Sequence, residues 1–239
     1  MMLLAAGAER LGISLDQRQL LQFQRLADAL VEHNQRVNLT SITDPDAIQV
    51  RHFLDSLTAA LPLLDRLRAG EPLRLVDVGT GAGFPGLALK IAFPALQVTL
   101  VEATGKKTRF LAEVVEQLGM ADVAIVTARS EDAARDPAHR ERYDWATGRA
   151  LGSLPAVVEL CAPFLGHGGV LVAQRRGDLE AEIKVAARAF RLLNLRPRPS
   201  VLITLPGLDD GRGLVVADKV GPTPGEYPRR VGVPARQPL

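Results

Sequence analysis

The residues with the clearest chemical potential lie in a glycine-rich segment, DVGTGAGFPG, at residues 77–86. Gly79, Gly81 and Gly83 alternate directly after an apolar run, where a buried strand is expected to turn into a helix. Glycine at such a turn permits a positive φ and lets a ligand approach the backbone closely. The spacing also fits the dinucleotide fingerprint Gly-x-Gly-x-x-Gly, which is a weak match when taken alone. The segment predicts a ligand site, and the alternative is a glycine turn that binds nothing.

Two carboxylates narrow the choice of ligand. Asp77 precedes the glycines, where it would repel a dinucleotide pyrophosphate but hold the ammonium of an amino-acid moiety, directly or through water. Glu102 ends the next predicted strand, where a carboxylate accepts hydrogen bonds from paired ribose hydroxyls and rejects a 2′-phosphate. NAD and S-adenosylmethionine both carry such a ribose, and Asp77 favours S-adenosylmethionine.

Further polar residues follow the third and fourth predicted strands. Ser130 and Glu131 come after the third strand, where side chains reach the adenine edge of such a ligand. A helix cap is the simpler explanation for these two residues alone. Arg149 follows the fourth strand, where a cation would bind RNA phosphate or orient a substrate, and an ordinary surface arginine is the alternative.

Two common signatures of methyl transfer are missing from the sequence. No Asn-Pro-Pro-Tyr type segment follows the fourth strand, which argues against methylation of an exocyclic amine. Cys161 lies mid-helix among apolar residues, where a core thiol is expected rather than a nucleophile. An acceptor that already carries a lone pair, such as a ring nitrogen, needs no general base, so catalysis would rest on alignment.

His52, Asp55 and Ser56 have the spacing of neighbours on one helix, and together they suggest a hydrolase triad. A serine in the middle of a helix lacks the sharp turn and the oxyanion donors that a nucleophile needs. We therefore expect this cluster to fasten the helical region to the sheet or to line the substrate entrance.

A sheet edge is needed to position these groups. From residue 73 onward, apolar runs alternate with helical segments, which predicts a doubly wound, Rossmann-like α/β sheet with ligands at the carboxyl ends of its strands. The expected strands are 73–78, 97–102, 122–126, 143–147, 169–174, 200–205 and 213–218, and the expected helices are 84–93, 106–119, 154–165 and 178–192. No helix separates the last two strands, so they are expected to pair antiparallel.

A helical extension is predicted before that sheet. Ser14 with Gln17 resembles a capping box, and Asp44 with Pro45 marks a second helix start. We divide the chain into a helical extension packed on the core (1–68), a S-adenosylmethionine-binding domain (69–220) and a basic tail rich in proline and arginine (221–239).

Composition bounds the class of protein. The chain has 239 residues, a net charge of +2 and 47% hydrophobic residues, which excludes wholesale disorder. A single cysteine excludes a disulfide framework and a zinc site built on paired cysteines. Since neither a signal peptide nor a spanning helix is evident, we expect a cytoplasmic monomer that binds no metal and no membrane.

Clustered cations indicate an RNA surface that the net charge conceals. Lys106 and Lys107 open a predicted helix beside the Glu102 strand, and Arg176 follows the fifth strand. Arg229 and Arg230 lie in the proline-rich tail, which is expected not to form helix and either to lie extended on RNA or to become ordered only on binding. A solvated terminus is the alternative for that tail.

Together these segments resemble the ribosomal RNA small subunit methyltransferase G family, also called glucose-inhibited division protein B. The resemblance spans nearly the whole chain and rests on residues 38–40, 51–56, 77–86, 106–111 and 227–234. It implies a class I methyltransferase fold that transfers a methyl group from S-adenosylmethionine to N7 of a guanine in 16S ribosomal RNA of the small subunit. Carried over by motif, the residues implied to contact the cofactor are Gly79, Phe84, Glu102, Ala103, Thr104, Ser130 and Glu131, with Arg149 near the transferred methyl.

Three positions depart from the family pattern. Arg176 stands in place of the usual lysine, Gly213 in place of the usual histidine, and Glu102 in place of the common aspartate. Without a histidine, position 213 has no catalytic role. Two other functions stay open, a nicotinamide oxidoreductase of the same architecture and a non-enzymatic RNA-assembly factor with a vestigial cofactor pocket.

Overall fold

The computed structural model describes residues 1–208 and 210–239. Its strands are β1 (Arg74–Val78), β2 (Gln97–Glu102), β3 (Val123–Thr127), β4 (Tyr143–Arg149), β5 (Leu165–Arg176), β6 (Leu195–Pro197), β7 (Val201–Leu202) and β8 (Arg212–Lys219). Its helices are α1 (Met2–Arg10), α2 (Gln17–Val37), α3 (Pro45–Ile48), α4 (Asp55–Thr58), α5 (Leu64–Arg68), α6 (Gly86–Ala92), α7 (Gly105–Gln117), α8 (Ser130–Ala133), α9 (Leu154–Cys161), α10 (Leu179–Val185), α11 (Ala187–Leu192) and α12 (Val233–Arg236). A π-helical segment, Gln49–Leu54, joins α3 to α4.

The central sheet confirms the predicted doubly wound architecture. Its strand order is β3-β2-β1-β4-β5-β8-β6, and β7 also pairs with β8. β1 lies parallel to both β2 and β4, and β5 pairs antiparallel with β8. The strand order therefore reverses between β1 and β4, which is where ligands bind in open sheets of this kind.

The outer edge of the sheet differs from the prediction. In place of one strand at 200–205, two short strands, β6 and β7, share the edge of β8. Pro199 lies between them and has no N–H to donate, which interrupts the ladder. The predicted antiparallel pairing is confirmed where Val201 faces Leu214 and Leu202 faces Gly213.

The second helix, α2, begins two residues later than predicted. The capping box is formed by Asp16 and Gln19, whose backbone N–H groups each donate to the other's side chain at 2.8 and 2.7 Å. The box predicted at Ser14 and Gln17 is wrong, because Leu15 packs on the core before the chain turns into α2. The predicted second start is confirmed, since Ala47 N donates to Asp44 Oδ1 at 2.8 Å.

The helical region and the sheet share one hydrophobic core. Phe23 of α2 and Phe53 of the π-helical segment are fully buried, with ring centroids 5.0 Å apart. Phe53 in turn lies 5.8 Å from Phe84 of the glycine-rich segment. Gln19 donates to the carbonyls of Ile91 and Ala92 at the end of α6. The N-terminal helices are thus packed directly behind the predicted ligand loop.

The tail packs on the folded core and ends in a short helix. Arg229 Nη2 lies 2.6 Å from Glu159 Oε2 of α9, and the Glu159 side chain is fully buried. The residues that follow form α12. The prediction that the tail forms no helix is wrong, because Pro234 lies in the first turn of α12, where its missing N–H costs no hydrogen bond. The tail also supplies the cationic partner that the buried Glu159 carboxylate requires.

The described part of the chain contains no helix long and apolar enough to cross a membrane. Within those same residues no cluster of three or more His, Cys, Asp or Glu side chains could hold a metal ion. Cys161 is a buried free thiol, and burial raises its pKa, which agrees with the core role predicted for it.

Candidate cofactor and substrate site

The glycine-rich segment forms the turn between β1 and α6 that its sequence predicts. Gly79, Gly81 and Gly83 have φ values of +64°, +61° and +92°, in the left-handed region that other residues rarely adopt. A Cβ on Gly83 would lie 2.3 Å from Leu87, whereas a Cβ on Gly81 would meet nothing within 4 Å. The loop is therefore tightly packed at Gly83 and open at Gly81, as a loop that cradles a ligand must be.

Asp77 lies beneath this loop and holds its shape. Its side chain is fully buried, and Oδ2 accepts hydrogen bonds from Thr80 Oγ1 at 2.6 Å and from Gly86 N at 2.8 Å. Oδ1 has no partner among the described residues. Burial raises the pKa of Asp77 to about 6, against the opposing effect of its two hydrogen bonds. A buried, unpartnered carboxylate oxygen is costly unless a ligand donates to it.

Glu102 joins the end of β2 to the glycine loop. Its Oε2 accepts from Gly81 N at 3.2 Å, and its Oε1 accepts from Thr104 N at 2.8 Å. Only 8% of the residue is exposed, whereas Ala103 and Thr104 are open to solvent. Each carboxylate oxygen keeps a second lone pair for a ligand hydroxyl.

Glu131 connects the predicted adenine side of the site to the tail. Its Oε1 accepts from Gly232 N at 2.8 Å, and Ser130 Oγ donates to its Oε2 at 3.3 Å. Glu131 is buried, so the C-terminal segment packs directly against this side of the site. Sequence reasoning missed this link, because nothing in a proline-rich tail indicates which strand end it reaches.

Phe84, His52 and Arg149 form a stacked group beside the glycine loop. The rings of His52 and Phe84 are stacked nearly parallel with centroids 4.8 Å apart, and the Arg149 guanidinium carbon lies 5.5 Å from the Phe84 centroid. His52 Nε2 also lies 2.8 Å from Thr40 Oγ1. Burial, aided by the Arg149 charge, lowers the pKa of His52 to about 4, so this imidazole is neutral at pH 7.

Asp55 bridges Arg149 and a second arginine, Arg212. Its Oδ2 lies 3.0 Å from Arg149 Nη1, and its Oδ1 lies 2.6 Å from Arg212 Nη1. Arg212 is 4% exposed and also pairs with Asp210, whose pKa it lowers to about 2. Ser56 Oγ instead donates to His52 O within the helix, so the three residues form no hydrolase triad. The cluster fastens the helical region to the sheet, one of the two roles expected for it.

A cavity of about 480 Å³ opens beside this cluster. Its lining comes from the π-helical segment and from the ends of β4, β5 and β8, and comprises Ile42, Arg51, His52, Asp55, Thr58, Arg149, Ala150, Gln174, Arg175, Arg176, Glu182, Ile203, Arg212 and Gly213. Its volume lies in the range of about 300–1,000 Å³ typical of small-ligand sites. The Asp55, Arg149 and Arg212 charges lie inside it, whereas Arg51 and Arg176 are exposed at its rim.

The remaining predicted cations have different surroundings. Lys106 is exposed at the start of α7, Lys107 is half-buried, and Arg230 is exposed in the tail. Arg229 is instead engaged by the buried Glu159. The structure thus gives Arg229 a structural partner that the sequence did not indicate.

Arg212 and Gln174 are site residues that sequence reasoning did not single out. Arg212 begins β8, which runs antiparallel to β5 and therefore starts at the edge where β5 ends. Gln174 lies near the end of β5, in register with Arg149. The sequence signal that could have identified both residues is a charged or amide side chain at the end of an apolar strand.

Comparisons with known proteins agree with this geometry. A family model described as rRNA small subunit methyltransferase G matches residues 19–202. A ribosomal RNA small subunit methyltransferase G from Dehalococcoides mccartyi is 45% identical over 236 residues, covering 99% of this chain and 98% of that protein. One from Roseiflexus castenholzii is 47% identical over 228 residues, covering 95% of both. A solved SAM-dependent methyltransferase from Aquifex aeolicus shares the fold, with a TM-score of 0.51 and 16% identity over 74% of this chain and 94% of that one.

Proposed function

Because the chain belongs to the rRNA small subunit methyltransferase G family, we propose that it transfers the methyl group of S-adenosylmethionine to N7 of a guanine in 16S ribosomal RNA of the small ribosomal subunit. The observation that carries this proposal is the stacked group of Phe84, His52 and Arg149. Phe84 belongs to the glycine loop, and His52 and Arg149 also line the cavity. A methyl donor bound at the glycine loop and a methyl acceptor bound in the cavity would therefore meet beside these three side chains.

The residues around the glycine loop fit S-adenosylmethionine. The unpartnered Oδ1 of Asp77 suits the ammonium of its amino-acid moiety, and the open space at Gly81 leaves room for the ligand beside the loop. Glu102 suits the ribose hydroxyls, because both of its oxygens keep accepting capacity. We assign the adenine side to Ser130, Glu131 and the exposed pair of Ala103 and Thr104, and the remaining loop contacts to Gly79, Gly83 and Phe84.

The chain's own residues orient the reactants and carry no proton. When bound, S-adenosylmethionine supplies a methyl group that the N7 lone pair accepts without loss of a proton, so no general base is needed. His52 is neutral and already bonded to Thr40, and Cys161 is buried with a raised pKa. We therefore assign catalysis to alignment by Arg149, which Asp55 and Phe84 hold in place.

RNA binding is assigned to four basic residues whose side chains reach solvent. Lys106, Lys107, Arg176 and Arg230 are the proposed phosphate ligands. Lys106, Arg176 and Arg230 are exposed, and Lys107 is partly exposed beside Lys106. Arg229 is assigned to the tail anchor, because its pairing with Glu159 leaves it less available to phosphate.

Methyl transfer to defined substrates tests the proposal. Small ribosomal subunits from cells lacking the enzyme are incubated with the protein and with S-adenosylmethionine labelled in its methyl group, and the labelled nucleotide is mapped. We expect label on N7 of one guanine in 16S RNA and none on subunits from wild-type cells, which are already modified. Titration with S-adenosylhomocysteine and with NADH accompanies it.

Each alternative function has its own result. Tight binding of NADH without binding of S-adenosylhomocysteine would indicate a nicotinamide oxidoreductase. Binding to the small subunit without any label in RNA would indicate an assembly factor with a vestigial pocket.

A further inference from the structure

Gln174 carries a buried acceptor whose direction is fixed by its neighbours. Its Nε2 donates to Asp55 O at 2.6 Å and to Thr58 Oγ1 at 3.2 Å. A backbone carbonyl only accepts hydrogen bonds, so the amide nitrogen must face Asp55 and the oxygen must point away from it. Oε1 then has no partner among the described residues, although Gln174 is only 9% exposed. A ligand that donates a hydrogen bond to this acceptor would therefore be bound more tightly.

Arg149 lies beside Gln174 and has donors to spare. The two residues are register partners on the parallel strands β4 and β5, and both line the cavity. Arg149 Nη1 faces Asp55 and the Arg51 carbonyl, and Nη2 has only a 3.5 Å contact with His52. No partner of Nε occurs in the described part of the chain, so this guanidinium can donate to a ligand as well as to Asp55.

The order of these groups along the sheet matches one base. The glycine loop follows β1, Arg149 ends β4 and Gln174 lies near the end of β5, and these strands are successive neighbours. Along the edge of guanine the methyl acceptor N7 is followed by the O6 acceptor and then by the N1–H donor. A protein donor followed by a protein acceptor therefore pairs with guanine. Adenine presents a donor at N6 and an acceptor at N1, so each protein group would face a group of its own kind.

We propose that Arg149 and Gln174 are the specificity determinants of the cavity, where they select guanine over adenine by donating to O6 and accepting from N1–H. This inference rests on the proposed methyl transfer to guanine N7. An adenine in the same position would leave the Gln174 acceptor unpaired and set two donors against each other. The base must leave any helical stack to enter such a cavity, as in other enzymes that act on a single base.

Replacement of the target base tests the proposed selection of guanine over adenine without altering the protein. Small subunits are reconstituted from 16S RNA that carries guanosine, inosine or adenosine at the mapped position. Inosine keeps N7, O6 and N1–H and lacks only the 2-amino group. We expect inosine to be methylated nearly as fast as guanosine, and adenosine to lose at least about 100-fold in kcat/KM, the upper range for one paired base contact.

Variants of the glutamine supply a second arm. Gln174→Met keeps the length of the side chain and removes its acceptor, and Gln97→Met at the start of β2, on the opposite edge of the sheet, is the matched control. We expect Gln174→Met to lose about 10–100-fold in kcat/KM on guanosine subunits. The ratio of its kcat/KM on guanosine subunits to that on adenosine subunits should be smaller than in the wild type, and its affinity for S-adenosylhomocysteine should be unchanged.

Three results overturn parts of this picture and are distinguishable. Adenosine methylated as fast as guanosine would overturn the specificity assignment. Loss of activity on inosine equal to the loss on adenosine would also overturn it, because the 2-amino group would then be the feature recognised. No label on guanosine subunits with the wild-type protein would refute the proposed function itself.

Discussion

The Arg149 guanidinium lies 3.0 Å from the Asp55 carboxylate, so a residue of the helical N-terminal region sets the position of the cation that ends β4. Asp55 is 8% exposed, and its other oxygen binds Arg212 of β8. Asp55 and Arg149, which are 94 residues apart in the sequence, are thereby held at one point beside the glycine loop. This contact underlies the first prediction.

Removal of the Asp55 charge should impair methyl transfer more than cofactor binding. In Asp55→Asn the carboxamide keeps its volume but loses the negative charge and can accept from only one of the two arginines. We therefore expect kcat to fall about 10–100-fold while affinity for S-adenosylhomocysteine stays near that of the wild type. The free energy of unfolding should fall by about 1–3 kcal/mol, because Arg212 keeps Asp210 as a partner. Asp65→Asn, at a fully exposed carboxylate, is the control in single-turnover assays and urea unfolding. A parallel loss of cofactor affinity would contradict the positioning role.

Alanine substitutions at Gly81 and Gly119 should distinguish the effect of backbone strain from the effect of lost ligand contact. Gly81→Ala and Gly119→Ala place a methyl group at nearly equal φ, +61° and +59°, and in both cases nothing lies within 4 Å of it. Each should lower stability by about 1–2 kcal/mol. Only Gly81→Ala should weaken binding of S-adenosylhomocysteine, measured by calorimetry, because its methyl group projects into the proposed ligand space. Equal affinities in the two variants would remove Gly81 from the binding site.

The tail arginines should separate into an anchor and an RNA contact. Arg229→Ala leaves the fully buried Glu159 without its ion-pair partner, which should cost about 3–5 kcal/mol in unfolding free energy. Arg230 is exposed, so Arg230→Ala should stay within about 0.5 kcal/mol of the wild type in the same denaturation series. Salt titrations of RNA binding should show a shallower slope for Arg230→Ala. Equal stabilities of the two variants would show that the anchor contributes nothing.

Asp77 should make both stability and cofactor affinity depend on pH. Its pKa is about 6 in the folded protein and 3.8 in the unfolded chain, so between these values the folded state binds more protons. The contribution of Asp77 to stability therefore decreases as pH rises from about 4 to about 6 and is level above that. Asp77→Asn does not titrate, so its unfolding free energy relative to the wild type should increase across that window.

Binding of S-adenosylhomocysteine provides the second measurement on Asp77. If the carboxylate holds the ligand ammonium, wild-type affinity should fall as pH drops through about 6, where Asp77 becomes protonated. The Asp77→Asn variant should bind more weakly at pH 7 and show less change with pH. Identical pH profiles for the two proteins would exclude a charge contact between Asp77 and the ligand.

Local sequence signals predicted the elements whose residues satisfy their own requirements. The strand 97–102 matches β2 throughout, because its central residues, Val-Thr-Leu-Val, favour a strand that is buried on both faces. The glycine loop was equally readable, since positive φ at alternating positions demands glycine. Errors arose where a local pattern competes with packing, as at Ser14, where the core contact of Leu15 delays the helix, and at 200–205, where Pro199 interrupts the edge.

The sequence by itself determined the class of fold, the position of the ligand loop and the family, because each depends on residues that are close together along the chain. Only the tertiary structure decided which side chains that are distant along the chain pair with each other. The sequence predicts Arg229 as a phosphate ligand, whereas in the fold it pairs with the buried Glu159. The role proposed for Gln174 depends on the register of β5 with Arg149, which no local sequence pattern specifies. The energy of an ion pair or a hydrogen bond depends on distance and burial, and neither is encoded in the local pattern of residues.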